Sequence, residues 1–88
     1  MPNNVKGKRV YPDGADNFYI KEPGDFGLWH GIWYAKSPNG FVANLGNHKV
    51  VENEDGTITV SPSIGIYGNT LGQFAYHGYL ENGVWRDA

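Results

Sequence analysis

Three histidines are the side chains of this 88-residue chain best suited to metal chemistry. His30, His48 and His77 could supply the three protein ligands that a catalytic zinc ion often takes. No two of them share the short separation found in metal-binding motifs, and the chain has no cysteine to add a thiolate. Histidines spaced in this way are more typical of half-buried, hydrogen-bonding aromatic side chains. We therefore expect no metal site and no cofactor, and a histidine-metal hydrolase ranks last among the alternatives.

Serine hydroxyls are the candidates for covalent catalysis. Ser37, Ser61 and Ser63 lie in turns flanked by proline, and none stands in the Gly-x-Ser-x-Gly pattern that exposes a nucleophile on a sharp turn. The glycine pattern from Gly65 to Gly68 leads into no helix and carries no Gly-Lys-Ser/Thr, so it does not predict a phosphate site. The sequence therefore favours a protein that is not an enzyme.

Aromatic side chains are the most abundant source of binding chemistry, with four Phe, six Tyr and three Trp. Tyr and Trp are favoured anchors at interfaces because each joins a large apolar area to one polar atom. The longest segment without a regular pattern, residues 61–72, carries Tyr67, and loops on a rigid sheet commonly bind partners. We predict a binding patch of Tyr67, Tyr79 and Trp33, with Trp29 and His77 as further binding residues. The alternative is that all these rings belong to the core.

A repeated pattern sets the positions of several of these rings. Trp29-His30-Gly31-Ile32-Trp33 is matched by Tyr76-His77-Gly78-Tyr79-Leu80. A glycine within a strand packs nothing unless a neighbouring ring lies over it. We therefore predict two strands in one sheet, with Gly31 and Gly78 each covered by a ring such as that of Trp29, Trp33 or Tyr76.

The spacing of glycine and proline predicts an all-β fold. Thirteen Gly and five Pro leave no uninterrupted stretch longer than the nine residues Asn47–Asp55, whereas an average helix has about eleven or twelve. Asn39-Gly40, Asp55-Gly56 and Asn82-Gly83 are hairpin signals. We predict a small antiparallel meander of hairpins that closes into a roll, barrel or compact sandwich. The predicted strands are 8–11, 18–21, 28–35, 41–45, 49–52, 57–61, 74–80 and 84–86.

Length and charge limit the domain organisation and the partners. A chain of 88 residues forms one domain over residues 1–88, in which residues 1–7 are expected to be a flexible arm. The net charge of −2 lacks the positive excess that drives nucleic-acid binding. There is no apolar run of membrane-spanning length, and the lack of cysteine fits a reducing compartment. We expect a cytoplasmic protein with no membrane or nucleic-acid partner.

From Ser37 onward, the chain resembles a family of small, functionally uncharacterised proteins common in phages and mobile elements and compared to degenerate zinc ribbons. The matching residues are Ser37-Pro38-Asn39-Gly40, Leu45, His48, Val50, Asp55-Gly56-Thr57, Ser61-Pro62-Ser63-Ile64, Tyr76-His77 and Trp85. Ser37 stands where the family tends to have a cysteine, and no cysteine precedes Tyr76. The resemblance implies a phage or prophage origin and no reaction.

Together these observations favour a non-catalytic binding module, either an inhibitor or another accessory protein that a phage produces in a bacterial host. The expected partner is a host protein, with a second copy of the chain as an alternative partner. A second class of function is a small-molecule or carbohydrate-binding domain, in which Trp29, Trp33, Tyr67 or Tyr79 would stack on the ligand.

Overall fold

The structure, a computed structural model, describes residues 4–67 and 74–88. These residues contain eight strands and no helix, and therefore none long and apolar enough to cross a membrane. The strands are β1 (Val5–Lys6), β2 (Phe26–Trp29), β3 (Ile32–Lys36), β4 (Val42–Asn44), β5 (Lys49–Glu52), β6 (Ile58–Tyr67), β7 (Phe74–Glu81) and β8 (Val84–Asp87). They form a five-stranded antiparallel sheet in the order β1-β8-β7-β6-β5 and a three-stranded one in the order β2-β3-β4. The prediction of a small all-β domain is confirmed.

Glycine turns connect the strands where the sequence predicted hairpins. Between β5 and β6, the Asn53 amide donates to the Thr57 carbonyl, and Gly56 has a φ of 86°. Between β7 and β8, Asn82 and Gly83 both have positive φ, 51° and 76°, which is the requirement of a two-residue turn that matches the twist of the strands. These hairpins are confirmed, as is the one at Asn39-Gly40 between β3 and β4.

The predicted strand 28–35 is wrong, because the chain reverses within it. His30 and Gly31 have φ values of 51° and 79°, and Trp29 pairs directly with Ile32. Histidine, like asparagine, enters the left-handed region more readily than most residues, so His-Gly here forms the turn that Asn-Gly forms elsewhere. Gly31 is exposed and has nothing within 4 Å of its Cβ position, so no ring covers it.

The second His-Gly dipeptide lies within a continuous strand, β7. A Cβ atom at Gly78 would lie 2.7 Å from Cζ of Tyr76, so the predicted ring over this glycine is confirmed. Because β7 belongs to the five-stranded sheet and His30 to the turn of the other, the prediction that both dipeptides share a sheet is wrong. The His-Gly dipeptide therefore adopts two different backbone conformations in this chain.

Residues 61–67 continue β6 and do not form the predicted loop. Between Val60 and Ile64, which pair with Leu80 and Gly78, the register shifts. Pro62 is accommodated in the strand at this irregularity, because the local ladder of hydrogen bonds is already interrupted there. Residues 68–73, the rest of the predicted loop, lie outside the described residues.

The N-terminal segment joins the two sheets, so the predicted arm over residues 1–7 is wrong from Val5 onward. Val5 pairs with Trp85, and Gly7 is buried. The next residues cross to the other sheet, where the Phe26 amide donates to the Lys8 carbonyl at 3.1 Å. Residues 8–11 contribute a single bridge rather than a strand, and residues 18–21 are no strand either. Residues 1–3 lie outside the described residues.

The core lies between the two sheets. Trp85, fully buried, donates its indole N–H to the Gly24 carbonyl at 2.7 Å and so satisfies its one polar atom. The buried apolar side chains come from both sides: Phe26, Ala35, Leu45, Ile58, Val60, Ile64, Tyr76, Leu80 and Trp85. Two sheets packed face to face in this way leave the outer face of each sheet available for other roles.

Candidate functional site

The outer face of the three-stranded sheet carries an aromatic groove of about 630 Å³. One side of it is the chain segment before β2, and the other side is formed by the sheet itself. The residues that line this aromatic groove are Phe18, Tyr19, Ile20, Lys21, Trp29, Tyr34, Lys36 and Val42. Its volume lies within the range of about 300–1,000 Å³ typical of ligand pockets.

A glycine places the rings of the groove. Gly27, Trp29 and Tyr34 share the outer face, because side chains alternate along a strand and Gly27 pairs with Tyr34. Phe18 lies over Gly27, where a Cβ atom would be 2.7 Å from Cε1 and Cζ of the phenylalanine ring. From there, the ring of Phe18 stacks on Trp29, with centroids 5.9 Å apart and an interplanar angle of 7°. The ring centroid of Tyr34 lies 6.0 Å from that of Phe18 and 6.5 Å from that of Trp29, so the three rings form one apolar surface.

Hydrogen bonds hold the segment before β2 against the sheet at both ends. The Trp29 indole N–H contacts the Asp16 carbonyl and carboxylate at 3.2 and 3.1 Å, and His30 Nε2 lies 2.5 Å from the same carboxylate. At the other end, the Lys36 ammonium donates to the carbonyls of Ile20 and Lys21 at 3.4 and 3.1 Å. These hydrogen bonds fasten the segment to the sheet at both ends of the groove.

The loop that precedes this segment is stabilised by Asp13. Its carboxylate accepts the backbone N–H groups of Ala15 and Asn17 at 2.8 and 2.9 Å. These hydrogen bonds, that from Asn17 first, favour the charged form and lower the pKa of Asp13 below its usual value. The turn therefore keeps its shape at neutral pH and presents Asp16 to Trp29.

The charged side chains that line the groove are both cationic, Lys21 and Lys36. Neither forms an ion pair with a carboxylate in the part of the chain that the structure describes. The rest of the lining is apolar or aromatic. The groove therefore combines an apolar surface with uncompensated positive charge at its edge.

No family model, curated protein or solved structure matches this chain. The resemblance to phage proteins stays a prediction. Function has to follow from the geometry and chemistry of the molecule itself.

Of the five predicted binding residues, Trp29 is the one that lines the groove. Trp33 packs instead against the core, where the Arg9 guanidinium lies 4.9 Å from its ring. Tyr79 lies on the five-stranded sheet beneath the Arg86 guanidinium at 4.5 Å. Tyr67, at the end of β6, is 67% exposed. The structure thus does not bring Trp33 together with Tyr67 and Tyr79, because the two tyrosines belong to the other sheet.

His77, the fifth, lies beside Ser63, a contact that no local sequence pattern predicts. Its Nε2 atom is 2.9 Å from the Ser63 hydroxyl, and His48 Nε2 is 3.2 Å from the Ser63 carbonyl. The pairing of β6 with β7 brings these residues together across 14 positions of sequence. A serine next to an imidazole is the first element of a nucleophile and base pair, and here Ser63 is half-buried and His77 is exposed.

The histidines do not converge on a metal site. His30 is in the turn between β2 and β3, whereas His48 and His77 adjoin Ser63. Within residues 4–67 and 74–88, no three His, Asp or Glu side chains lie close enough together to hold a metal ion.

Sequence reasoning missed most of the groove. Phe18, Tyr34 and Val42 were each assigned to strands, and the crossing of one segment over the sheet cannot be seen in local patterns. The available signal was Gly27, a strand glycine two positions before a tryptophan, since such a glycine requires a ring to cover it.

Proposed function

We propose that this chain is a non-catalytic binding domain and that the aromatic groove holds its partner. The observation that carries the proposal is the continuous apolar surface of Phe18, Trp29 and Tyr34 on the outside of a sheet. A ring placed on the solvent side of a small domain contributes nothing to the core between the sheets. It does provide contact area for another molecule at a low cost in conformational entropy.

The exposure of the groove's margins supports this proposal. Tyr19 is 70% exposed and Val42 is 54% exposed, so both would lose apolar surface to a bound partner. Burial of apolar surface contributes roughly 25 cal/mol per Å², which makes such margins effective in binding. Because Asp16 and Lys36 already hold the segment in place, little ordering is required on association.

The chemistry of the lining favours a protein partner over a sugar. A carbohydrate presents many hydroxyl groups, which require polar side chains as well as a flat ring. Here the polar groups are few, and the Lys36 ammonium already donates to two carbonyls. Apolar side chains of a protein match the groove better. The resemblance to phage proteins supports a host protein as that partner and an inhibitor or accessory role in the host cytoplasm.

Selection of peptides from a random display library tests the proposal. We expect the selected peptides to be rich in aromatic and apolar residues, and the double variant Tyr19→Ala, Val42→Ser to bind them at least about tenfold more weakly, a difference of about 1.4 kcal/mol. Both changed side chains are exposed, so the fold should be retained. Tyr67→Ala is the matched control, because it removes an exposed tyrosine outside the groove.

Two results would contradict the proposal. One is a selection that yields peptides bound equally well by the double variant. The other is a loss of binding in Tyr67→Ala alone, which would move the binding surface to the end of β6.

A further inference from the structure

We infer that the outer edge of β4 and the adjoining aromatic groove together bind an extended, acidic peptide segment of the partner, which adds a fourth strand to the three-stranded sheet. This inference rests on the proposed function and specifies the conformation and charge of what the groove holds.

β4 has a neighbouring strand, β3, on one side only. The Ser37 amide donates to the Phe41 carbonyl at 2.7 Å, and the Leu45 amide donates to the Trp33 carbonyl at 2.8 Å. In an antiparallel ladder, the residues that bond to the neighbouring strand alternate with residues whose N–H and C=O groups point away. Val42 and Asn44 therefore direct their backbone groups outward. No described backbone group pairs with them.

The other sheet edges are less suited than β4 to accept an added strand. Residues 8–10 cover the β2 edge through the hydrogen bonds to Phe26. The β5 edge carries a charged side chain at each end, Lys49 and Glu52, and charge on an edge discourages pairing. The β1 edge has only two residues, and one of them is Lys6. β4 has the sequence Val-Ala-Asn, without a charge or a proline. It is thus the edge best suited to accept a strand.

The outer edge of β4 adjoins the aromatic groove. Val42 pairs with Lys36, and both line the groove on the outer face of the sheet. Side chains of an added strand would alternate between the two faces of the sheet. Every second side chain of the added peptide would therefore lie on the same face of the sheet as Val42 and the aromatic surface. The hydrogen bonds would provide affinity, and the groove would select apolar side chains at alternate positions.

The lining of the groove carries positive charge. Lys21 and Lys36 are the charged lining residues, and neither is paired with a carboxylate among the described residues. An ammonium group has three donors, of which Lys36 uses two on the carbonyls of Ile20 and Lys21. Asp or Glu in the peptide would complement this charge. A second copy of the chain matches less well, because pairing β4 with β4 would bring like charges of two grooves toward each other.

The test uses synthetic peptides in which every second residue is valine, phenylalanine or glutamate and the residues between them are threonine, so that the apolar and acidic side chains share the groove side of the added strand. Controls are the same peptides with lysine in place of glutamate, and a version N-methylated on alternate residues, which keeps the side chains and removes the backbone donors. Fluorescence polarisation gives the affinities, and amide hydrogen exchange by NMR reports on Val42 and Asn44.

We expect the glutamate peptide to bind at least about tenfold more tightly than the lysine peptide, a preference that Lys21→Gln should reduce. Binding should slow hydrogen exchange of the Val42 and Asn44 amides. The N-methylated peptide should not slow it. Peptide binding that leaves these two amides unprotected would overturn the added strand while the groove proposal stands. A lysine peptide that binds as tightly would overturn the acidic partner. Protection that appears without peptide and rises with protein concentration would assign the edge to a second copy. If neither the synthetic peptides nor the display-selected peptides bind, both proposals are wrong.

Discussion

The ring of Phe18 occupies the space that a side chain at position 27 would need. A Cβ atom on Gly27 would lie 2.7 Å from two ring carbons of Phe18 and 2.6 Å from the Val10 carbonyl oxygen. The missing side chain therefore lets an aromatic residue from outside the sheet reach the sheet surface. The stack of Phe18 on Trp29 follows from this, since the two rings lie side by side on that surface.

Gly27→Ala should therefore disturb both stability and binding. The added methyl group cannot be accommodated unless Phe18 or the backbone at Val10 moves, and overpacking of this kind costs about 1–3 kcal/mol. Chemical denaturation measures the loss. Gly14→Ala is the control, because nothing lies within 4 Å of its Cβ position and its φ is not positive. If the two variants lose the same amount of stability, the position of the Phe18 ring does not depend on the missing side chain at Gly27.

The turns of this fold show what the sequence can predict and where it fails. Asn82-Gly83 was predicted as a hairpin because asparagine and glycine both tolerate positive φ. His30-Gly31 adopts the same conformation, yet its neighbours Trp29 and Ile32 read as a continuous strand. The same dipeptide stays extended in β7, at His77. Local patterns cannot separate these cases, because the decision depends on the strands with which each segment pairs.

Substitution at His30 should separate backbone strain from the side-chain contact with Asp16. His30→Val places a β-branched residue at a φ of 51°, for which the strain is about 1–3 kcal/mol. His30→Asn keeps a residue that tolerates this region and loses an exposed contact, worth at most about 1 kcal/mol. Thermal or urea unfolding should therefore rank valine well below asparagine. Equal losses would show that the contact with Asp16, rather than the turn, sets the cost.

The candidate site was less predictable than the fold. Trp29 was recognised as a binding residue from its type and its place in the aromatic repeat. Phe18 and Tyr34 were not, because their roles depend on a non-local crossing held by Asp16 and Lys36. Trp33 belongs to the predicted binding patch, but the chain reverses at His30, and the Trp33 side chain lies on the core side.

Replacement of Arg9 by lysine should destabilise the domain. Its guanidinium lies 5.0 Å from the Tyr11 ring and 4.9 Å from the Trp33 ring, and it forms an ion pair with Glu52. The side chain is 19% exposed, and cation–π contacts contribute about 0.5–2 kcal/mol depending on desolvation. Arg9→Lys should lower the free energy of unfolding by about 1 kcal/mol or more, because lysine keeps the charge and loses the planar contact. Glu52→Gln, which removes only the half-exposed partner, should cost less. The reverse order would make the ion pair the dominant contact.

Tyr76 should make the domain sensitive to alkali. Burial, then the negative charge of Asp87 and the hydrogen bond that the phenol donates to its carboxylate at 3.2 Å, raise the pKa of Tyr76 to about 12. The folded state therefore holds a proton that the unfolded chain releases near the ordinary pKa of 10. The stability that this group contributes is complete below pH 10 and is lost as the pH rises through 12.

Lys8, whose pKa is raised by its hydrogen bond to Asp25, acts in the same direction, so the comparison must be between the wild type and Tyr76→Phe. We expect the free energy of unfolding of the variant to fall less steeply above pH 10, and the ultraviolet titration of the wild type to show one tyrosine that ionises only near pH 12 or on unfolding. Parallel stability profiles for the two proteins would show that the Tyr76 hydroxyl is not the group that titrates.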